Sequence, residues 1–289
     1  MSLLMAIAVP LQVSRDRGWQ AYEPATPMMW LRAGPTVKRL SLGFDTLVAD
    51  LYWIRAVVYF GRQRLSEDLD KNYDLLYPLL ELVTTLDPRF TVAYRFGAIF
   101  LAEPPPDGPG RPDLAVKLLQ RGVEASPERW EYLHAIGFVY YWSHRNYAEA
   151  ATWIERASQI GGAPIWLKST AALMRTEAGD RESARLLWRQ LHDSADDQSL
   201  RNLAELRIAQ FDAMDAIDAL NEAVWRFEAQ AGRPARTWEE LMTAGVLRRV
   251  PTDPAGVPYV LDLVNEDVRL SDKSPLWPLP AGLDTPRRR

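Results

Sequence analysis

"DLAVKLLQRGVEASP", residues 113–127, decides the fold once "YAEAATWIERASQIGG" (147–162) and "RESARLLWRQLHD" (181–193) are laid beside it. Ala115, Leu119, Gly122 and Pro127 stand at offsets 0, 4, 7 and 12; Ala150, Ile154, Ala157 and Gly162 repeat those offsets, and Ala184, Trp188 and Leu191 repeat the first three. Ala115 and Ala150 are 35 residues apart, and Ala150 and Ala184 are 34 apart. A fixed period of this length is the mark of stacked helical units. Each segment follows another apolar helix: "VAYRFGAIFLA" (92–102), "YLHAIGFVYYW" (132–142) and "WLKSTAALMRTEAGD" (166–180). These carry Gly97, Gly137 and Ala172, small residues that let two helix backbones approach. An earlier pair, "ADLYWIRAVVYFG" (49–61) and "YDLLYPLLELVTTLDP" (73–88), fits the pattern more loosely and ends with Pro88.

Gly97, Ala115 and Pro127, and again Gly137, Ala150 and Gly162, resemble the tetratricopeptide repeat (TPR): a small residue in the first helix, Ala opening the second, and a closing Pro that has become Gly in the later unit. The resemblance covers about residues 45 to 197. It implies an all-α, TPR-like α-solenoid of about four helix pairs in which neighbours stack to bury apolar faces that no pair can cover alone. It also implies that the first helices line a concave side. That side would present Tyr94, Ala98 and Leu101, then His134, Phe138, Tyr141 and Trp142, then Trp166, Ser169 and Leu173. An aromatic, nearly uncharged groove of this kind suits an apolar or proline-bearing peptide, or a partner helix. The Lys and Asn with which TPR clamps hold acidic chaperone tails are absent from these positions, so that activity is not carried over. The spacing from Gly97 to Ala115 exceeds the family's, and the excess falls in "EPPPDGPGRP" (103–112), where three prolines in a row fix an extended, stiff loop. A similar excess lies in "QRLSEDLDKN" (63–72).

Beyond the repeats the pattern changes. In residues 200–232, Ile208, Phe211, Met214, Ile217, Leu220, Val224 and Phe227 recur every three or four positions, which predicts one long amphipathic helix stopped by Gly232 and Pro234. Thr237 and Glu240 form a capping box opening "WEELMTAG", closed by Gly245. Asp253-Pro-Ala-Gly256 has the residue order of a type I turn, and "PYVLDLV" with "VRLS" alternates as a small hairpin around "NED". The order of helix, Leu-rich cap, Asp-Pro turn and Pro-Tyr strand over about 208 to 262 resembles the C-terminal half of type II secretion major pseudopilins. The methylation signal and apolar stem of those proteins are missing, so polymerisation into a pilus is not implied. Asp262, Asn265, Glu266 and Asp267 read as solvated turn residues rather than as a calcium loop. The expected organisation is therefore 1–38 as an N-terminal apolar or extended segment, 39–197 as TPR-like repeats, and 198–289 as a long helix with a turn-rich cap that covers its apolar flank.

A net charge of −4 argues against a nucleic-acid binder, and the absence of cysteine removes disulfides, thiolate metal sites and a cysteine nucleophile together. None of the three histidines, His134, His144 and His192, has metal-ligand spacing with another, and no phosphate-binding or nucleophile-elbow motif is present. No catalytic residue, cofactor site or metal site is expected. Asp50 and Arg55, inside "LVADLYWIRAVVYF", are the charges expected to show unusual burial. "SLLMAIAVPLQV" (2–13) is nearly all apolar but shorter than the roughly 18 residues that span a bilayer. It reads either as the remnant of a signal or anchor or as a segment docked on the body. The resulting expectation is a non-catalytic bacterial scaffold for protein partners such as membrane-complex or pilin-like subunits. It would be membrane-associated and periplasm-facing, with a cytoplasmic place left open. The alternatives are a structural subunit of a membrane complex held by the N-terminal segment, or a small-ligand binder or enzyme using the groove as a pocket.

Overall fold

Four of the described helices start at side-chain caps that the sequence supplies. A computed structural model of the chain describes residues 34–67, 71–264 and 266–280; the apolar segment 2–13 and Asn265 lie outside them. Among the described residues there are eleven helices and one two-stranded sheet. The helices are α1 (Gly34–Leu40), α2 (Asp45–Leu65), α3 (Leu76–Leu86), α4 (Thr91–Ala102), α5 (Pro112–Ala125), α6 (Trp130–His144), α7 (Tyr147–Ser158), α8 (Trp166–Glu177), α9 (Arg181–Ser194), α10 (Gln198–Ala231) and α11 (Trp238–Thr243). Side chains of Asn146, Asp180, Asp197 and Thr237 accept amides of Glu149, Ser183, Leu200 and Glu240 and so start α7, α9, α10 and α11. Each such cap satisfies one of the free amides of the first turn and is worth about 1 kcal/mol. Gly232 ends α10 in the left-handed conformation, φ 68°.

Backbone contacts divide the chain into two compact units at Asp87/Pro88. This differs from the expected boundaries at 38/39 and 197/198. The first unit holds α1 to α3, with α3 packed on both α1 and α2. Ala49, Tyr52, Ala56, Tyr59 and Phe60 are the buried face of α2. The Tyr59 hydroxyl donates to the Asn72 carbonyl (2.7 Å), which ties α2 to the approach of α3. Asp50 is exposed and Arg55 is half-buried over the Tyr52 ring, so the unusual burial expected of these two charges does not occur.

In the second unit each helix packs against the next, from α4 through α10, and α4 also touches α6 directly. The repeat offsets are structural positions. Ala115, Ala150 and Ala184, near the start of α5, α7 and α9, are all fully buried, and Leu119, Ile154 and Trp188 one turn later are buried as well. At Gly137 an added Cβ would lie 2.6 Å from Ile154 Cγ1 and 3.0 Å from the Ala150 carbonyl, which shows why a small residue stands where α6 meets α7. The boundary expected at 197 is crossed by one core: Ala172, Ala184, Trp188 and Leu191 pack with Ala204, Phe211 and Met214 of α10. Burying such side chains stabilises by about 1.5–3 kcal/mol each for the large ones, so nothing separates the helical pairs from the long helix.

Residues C-terminal to α10 pack against it. Ile217, Leu220, Val224 and Phe227 form a core with Leu241 of α11, Tyr259, and Val268 and Leu270 of the hairpin region. Strands β1 (Val260–Asp262) and β2 (Asp267–Arg269) pair antiparallel with Leu261 opposite Val268. Gly256 N–H donates to the Asp253 carbonyl (2.9 Å), closing the Asp-Pro turn. Asp253 itself is buried, accepting the Val257 amide (2.8 Å) and the Ser274 hydroxyl. The capping box is displaced by one residue on its return side, since Glu240 accepts the amide of Arg236 rather than that of Thr237.

Candidate functional site

Helix α4, "TVAYRFGAIFLA", has a single charged residue, Arg95, among residues that are nearly all apolar. Its burial is decided by what lies behind it. Gly122 of α5 leaves room for an aromatic ring, because a Cβ there would come within 3.2 Å of the Tyr94 ring. Tyr94 fills that space and meets Tyr132 of α6 edge-on at 5.2 Å. With Tyr94 fixed inward, Arg95, Ala98, Ile99 and Ala102 form the stripe that faces α6 across a cleft. The opposite wall is His134, Ala135, Phe138, Val139, Trp142 and Ser143 of α6. Glu103 and Pro104, the first residues of the proline-rich loop, close one end.

The cleft holds about 490 Å³ and is lined mainly by apolar atoms. Its floor is narrow side chains, Ala98, Ala102 and Ala135, and its walls are large ones. Phe138 and Trp142 stack at 6.1 Å with rings nearly parallel, 10°, and remain 44% and 60% exposed. Two large aromatics in water on one helix turn are unusual unless something covers them. The end wall is rigid: Gly110 N–H donates to the Glu103 carbonyl (2.8 Å), Arg111 N–H to the Leu101 carbonyl (2.7 Å), and a Cβ on Gly108 would lie 2.3 Å from Glu103 Cβ.

His134 joins the cleft to a second aromatic group. Its ring meets Trp166 edge-on at 5.2 Å and Trp130 at 6.2 Å, and the two indoles meet at 5.9 Å. Burial, helped by the positive charge of Arg95, pushes the imidazole below its ordinary pKa. At neutral pH the ring is therefore uncharged and adds aromatic surface rather than charge.

The structure brings four of the expected groove residues, Ala98, His134, Phe138 and Trp142, into the cleft. Tyr94 and Leu101 are corrected: each is only 1% exposed and belongs to the core behind the cleft. The expected stripe was turned by one residue, because a helix of nearly all apolar residues offers little periodicity to orient it. Tyr141 is half-buried against Tyr147, at 5.8 Å, and stands off the cleft. Trp166 is exposed and touches His134 without lining the cleft. Ile99, Ala102 and Arg95 were missed, although Arg95, the one charge of α4, marks the solvent side.

Among the described residues no group of His, Asp and Glu is arranged to hold a metal ion, and no helix is long and apolar enough to cross a membrane. Compared with family models, with curated proteins and with solved structures, the chain finds no match.

Proposed function

We propose that this chain is a non-catalytic TPR-like solenoid scaffold whose α4/α6 cleft takes an apolar helix or a proline-bearing peptide from a protein partner. The observation that carries this reading is the stacked Phe138–Trp142 pair, 44% and 60% exposed, over a floor of alanines. Small floor residues leave depth for a partner's side chain, and the exposed rings give it a large apolar contact of low conformational-entropy cost. The TPR-like reading is supported by the recurrence of buried Ala115, Ala150 and Ala184 at the same place in successive helix pairs and by the direct contact of α4 with α6. The partner class is a subunit of an envelope-associated bacterial assembly, of secretion, pilus or transporter type, with the pseudopilin-like cap as a lid for the last helix.

The cleft volume also falls in the range of small-molecule sites. Yet of its polar lining groups, Arg95, Glu103, His134 and Ser143, Arg95 and Ser143 are exposed to water. That arrangement suits a chain lying along the groove better than an enclosed metabolite.

The test is affinity capture from the membrane fraction of the source cell with the native chain and with Phe138→Ala/Trp142→Ala. The expected result is one stoichiometric protein retained by the native chain and lost by the variant, with helical content unchanged. Equal retention by both would remove the cleft from the interface.

A further inference from the structure

The rings along α6 form a regular ladder. His134, Phe138 and Trp142 follow one another at every fourth residue, a rise of about 6 Å per rung. The Phe138 and Trp142 rings are 6.1 Å apart. An extended chain of the polyproline type rises about 3.1 Å per residue, so every second residue meets a rung. A helix lying along the ladder would match it too, at every fourth residue. The hydrogen-bonding groups of the lining decide between the two. Arg95, Trp142 and Ser143 are exposed, and none of the three makes a hydrogen bond to a described residue. A guanidinium and an indole only donate, and a hydroxyl donates as well as accepts. A helix brings carbonyls already bonded within itself. A proline-bearing extended chain brings free carbonyls and lacks the N–H of each proline, so it supplies acceptors to a lining that offers donors. Its rings also suit an aromatic-lined groove.

Charge selects what flanks the prolines. Arg95 is the one Arg or Lys in the lining, and it has no ion pair with a described residue. Its positive charge acts on the His134 ring, which places it beside the first rung. The acid of the lining, Glu103, is eight residues further on, about 12 Å along α4, at the closed end. A guanidinium at the edge of an apolar cleft holds a carboxylate more strongly than one in open water, because less solvent screens the pair. We infer that the occupant of the cleft is an extended segment of a protein partner in which an acidic residue and two prolines stand at every second position, in either chain direction. The carboxylate lies on Arg95, and the prolines lie on Phe138 and Trp142. This inference rests on the reading of the cleft as a protein-binding groove.

A library of random twelve-residue peptides displayed on phage is selected on the full chain after depletion on Phe138→Ala/Trp142→Ala. The expected result is enrichment of Asp or Glu two residues from the nearer of two prolines that are themselves two apart. One selected peptide is then synthesised and its affinity measured by fluorescence anisotropy. Arg95→Glu should weaken it at least ~10-fold with unchanged circular dichroism, and Arg95→Gln should weaken it as well. Lys in place of the peptide's acid should restore binding to Arg95→Glu and not to the native chain, an exchange that a merely structural role of Arg95 would not produce. Enriched sequences that are apolar, helical and free of proline would overturn the extended occupant and leave the cleft a protein site. Proline sequences without an acid, or affinity indifferent to Arg95→Glu, would overturn the pairing with Arg95. Finding no sequence that depends on the two rings would overturn the protein-binding reading of the cleft, and this inference with it.

Discussion

Asn221, buried in the middle of α10, accepts the backbone amide of Val268 on its side-chain oxygen at 2.7 Å. The bond joins residues 47 apart in sequence and fastens strand β2 to the long helix. Gln210, also buried, does the same further down, donating its amide to the carbonyls of Leu276 and Pro278, both at 2.9 Å. Two polar side chains on an otherwise apolar helix face thus fix where the cap sits, and the surrounding apolar contacts hold it there.

Replacing Asn221 with Leu keeps the volume but leaves the Val268 amide without its acceptor. The expected loss is about 1–3 kcal/mol, the cost of stranding a buried donor. Urea unfolding followed by circular dichroism checks it. An unchanged midpoint would show that the cap is not fastened through this bond.

Tyr94→Ala and Trp142→Ala differ in consequence although sequence alone groups them. Tyr94 fills the space over Gly122, so its truncation opens a cavity and costs roughly 3–5 kcal/mol. Trp142 faces water, and its truncation shifts stability by no more than about 0.5 kcal/mol. Melting curves of the two variants separate core from cleft. Equal losses would place Trp142 in the core.

His134 and His192 titrate on opposite sides of the ordinary histidine value. Burial, with Arg95 nearby, lowers His134, so its contribution to folding is present above pH 6.5 and is lost as pH falls through its folded value. His192 bonds Asp193 (3.0 Å) and Glu205 (3.1 Å), which raises it. Its contribution is complete below pH 6.5 and is lost as pH rises through the folded value. NMR titration of the imidazole protons, assigned with His134→Gln and His192→Gln, should give one midpoint below and one above 6.5. A midpoint for His134 at or above 6.5 would contradict its burial.

Arg181 bonds Asp215 (2.6 Å) and Asp218 (2.7 Å), and Arg185 bonds Asp215 as well, joining α9 to α10. Burial pushes Asp215 up, but the two guanidinium groups outweigh it and hold the carboxyl below its usual range. Stability from this carboxylate is therefore full above about pH 3.9 and disappears as pH falls through the lower folded value. Its side chain is 48% exposed, so solvent screening limits the contribution to under about 1 kcal/mol. Asp215→Asn should lower the melting temperature slightly at pH 7 and not at pH 2. A difference that persists at pH 2 would point to packing instead.

What the sequence made legible is the periodic and punctuated part of the fold. The alanines at 115, 150 and 184 are all fully buried, and a period of 34 to 35 exposes them to comparison. Gly232, Thr237 and the Asp253–Gly256 turn were readable because each backbone conformation demands its residue type. The orientation of α4 was legible only from Arg95, since its other residues are nearly all apolar and its burial is set by Gly122 on another helix. The buried roles of Gln210 and Asn221 were invisible for a related reason: their partners are backbone groups 47 to 68 residues away, and polar residues in a long helix read as solvated.

The central claim, that the α4/α6 cleft receives a protein partner, is tested most directly by photo-cross-linking from inside it. A benzophenone side chain replaces Ile99, which lines the wall opposite Phe138, and the chain is irradiated in the membrane fraction of the source cell. The account predicts one dominant adduct, mapping to an apolar or proline-bearing segment of a single protein and lost when Phe138→Ala/Trp142→Ala is added. Adducts confined to the chain's own residues, or an adduct indifferent to loss of the two rings, would contradict it.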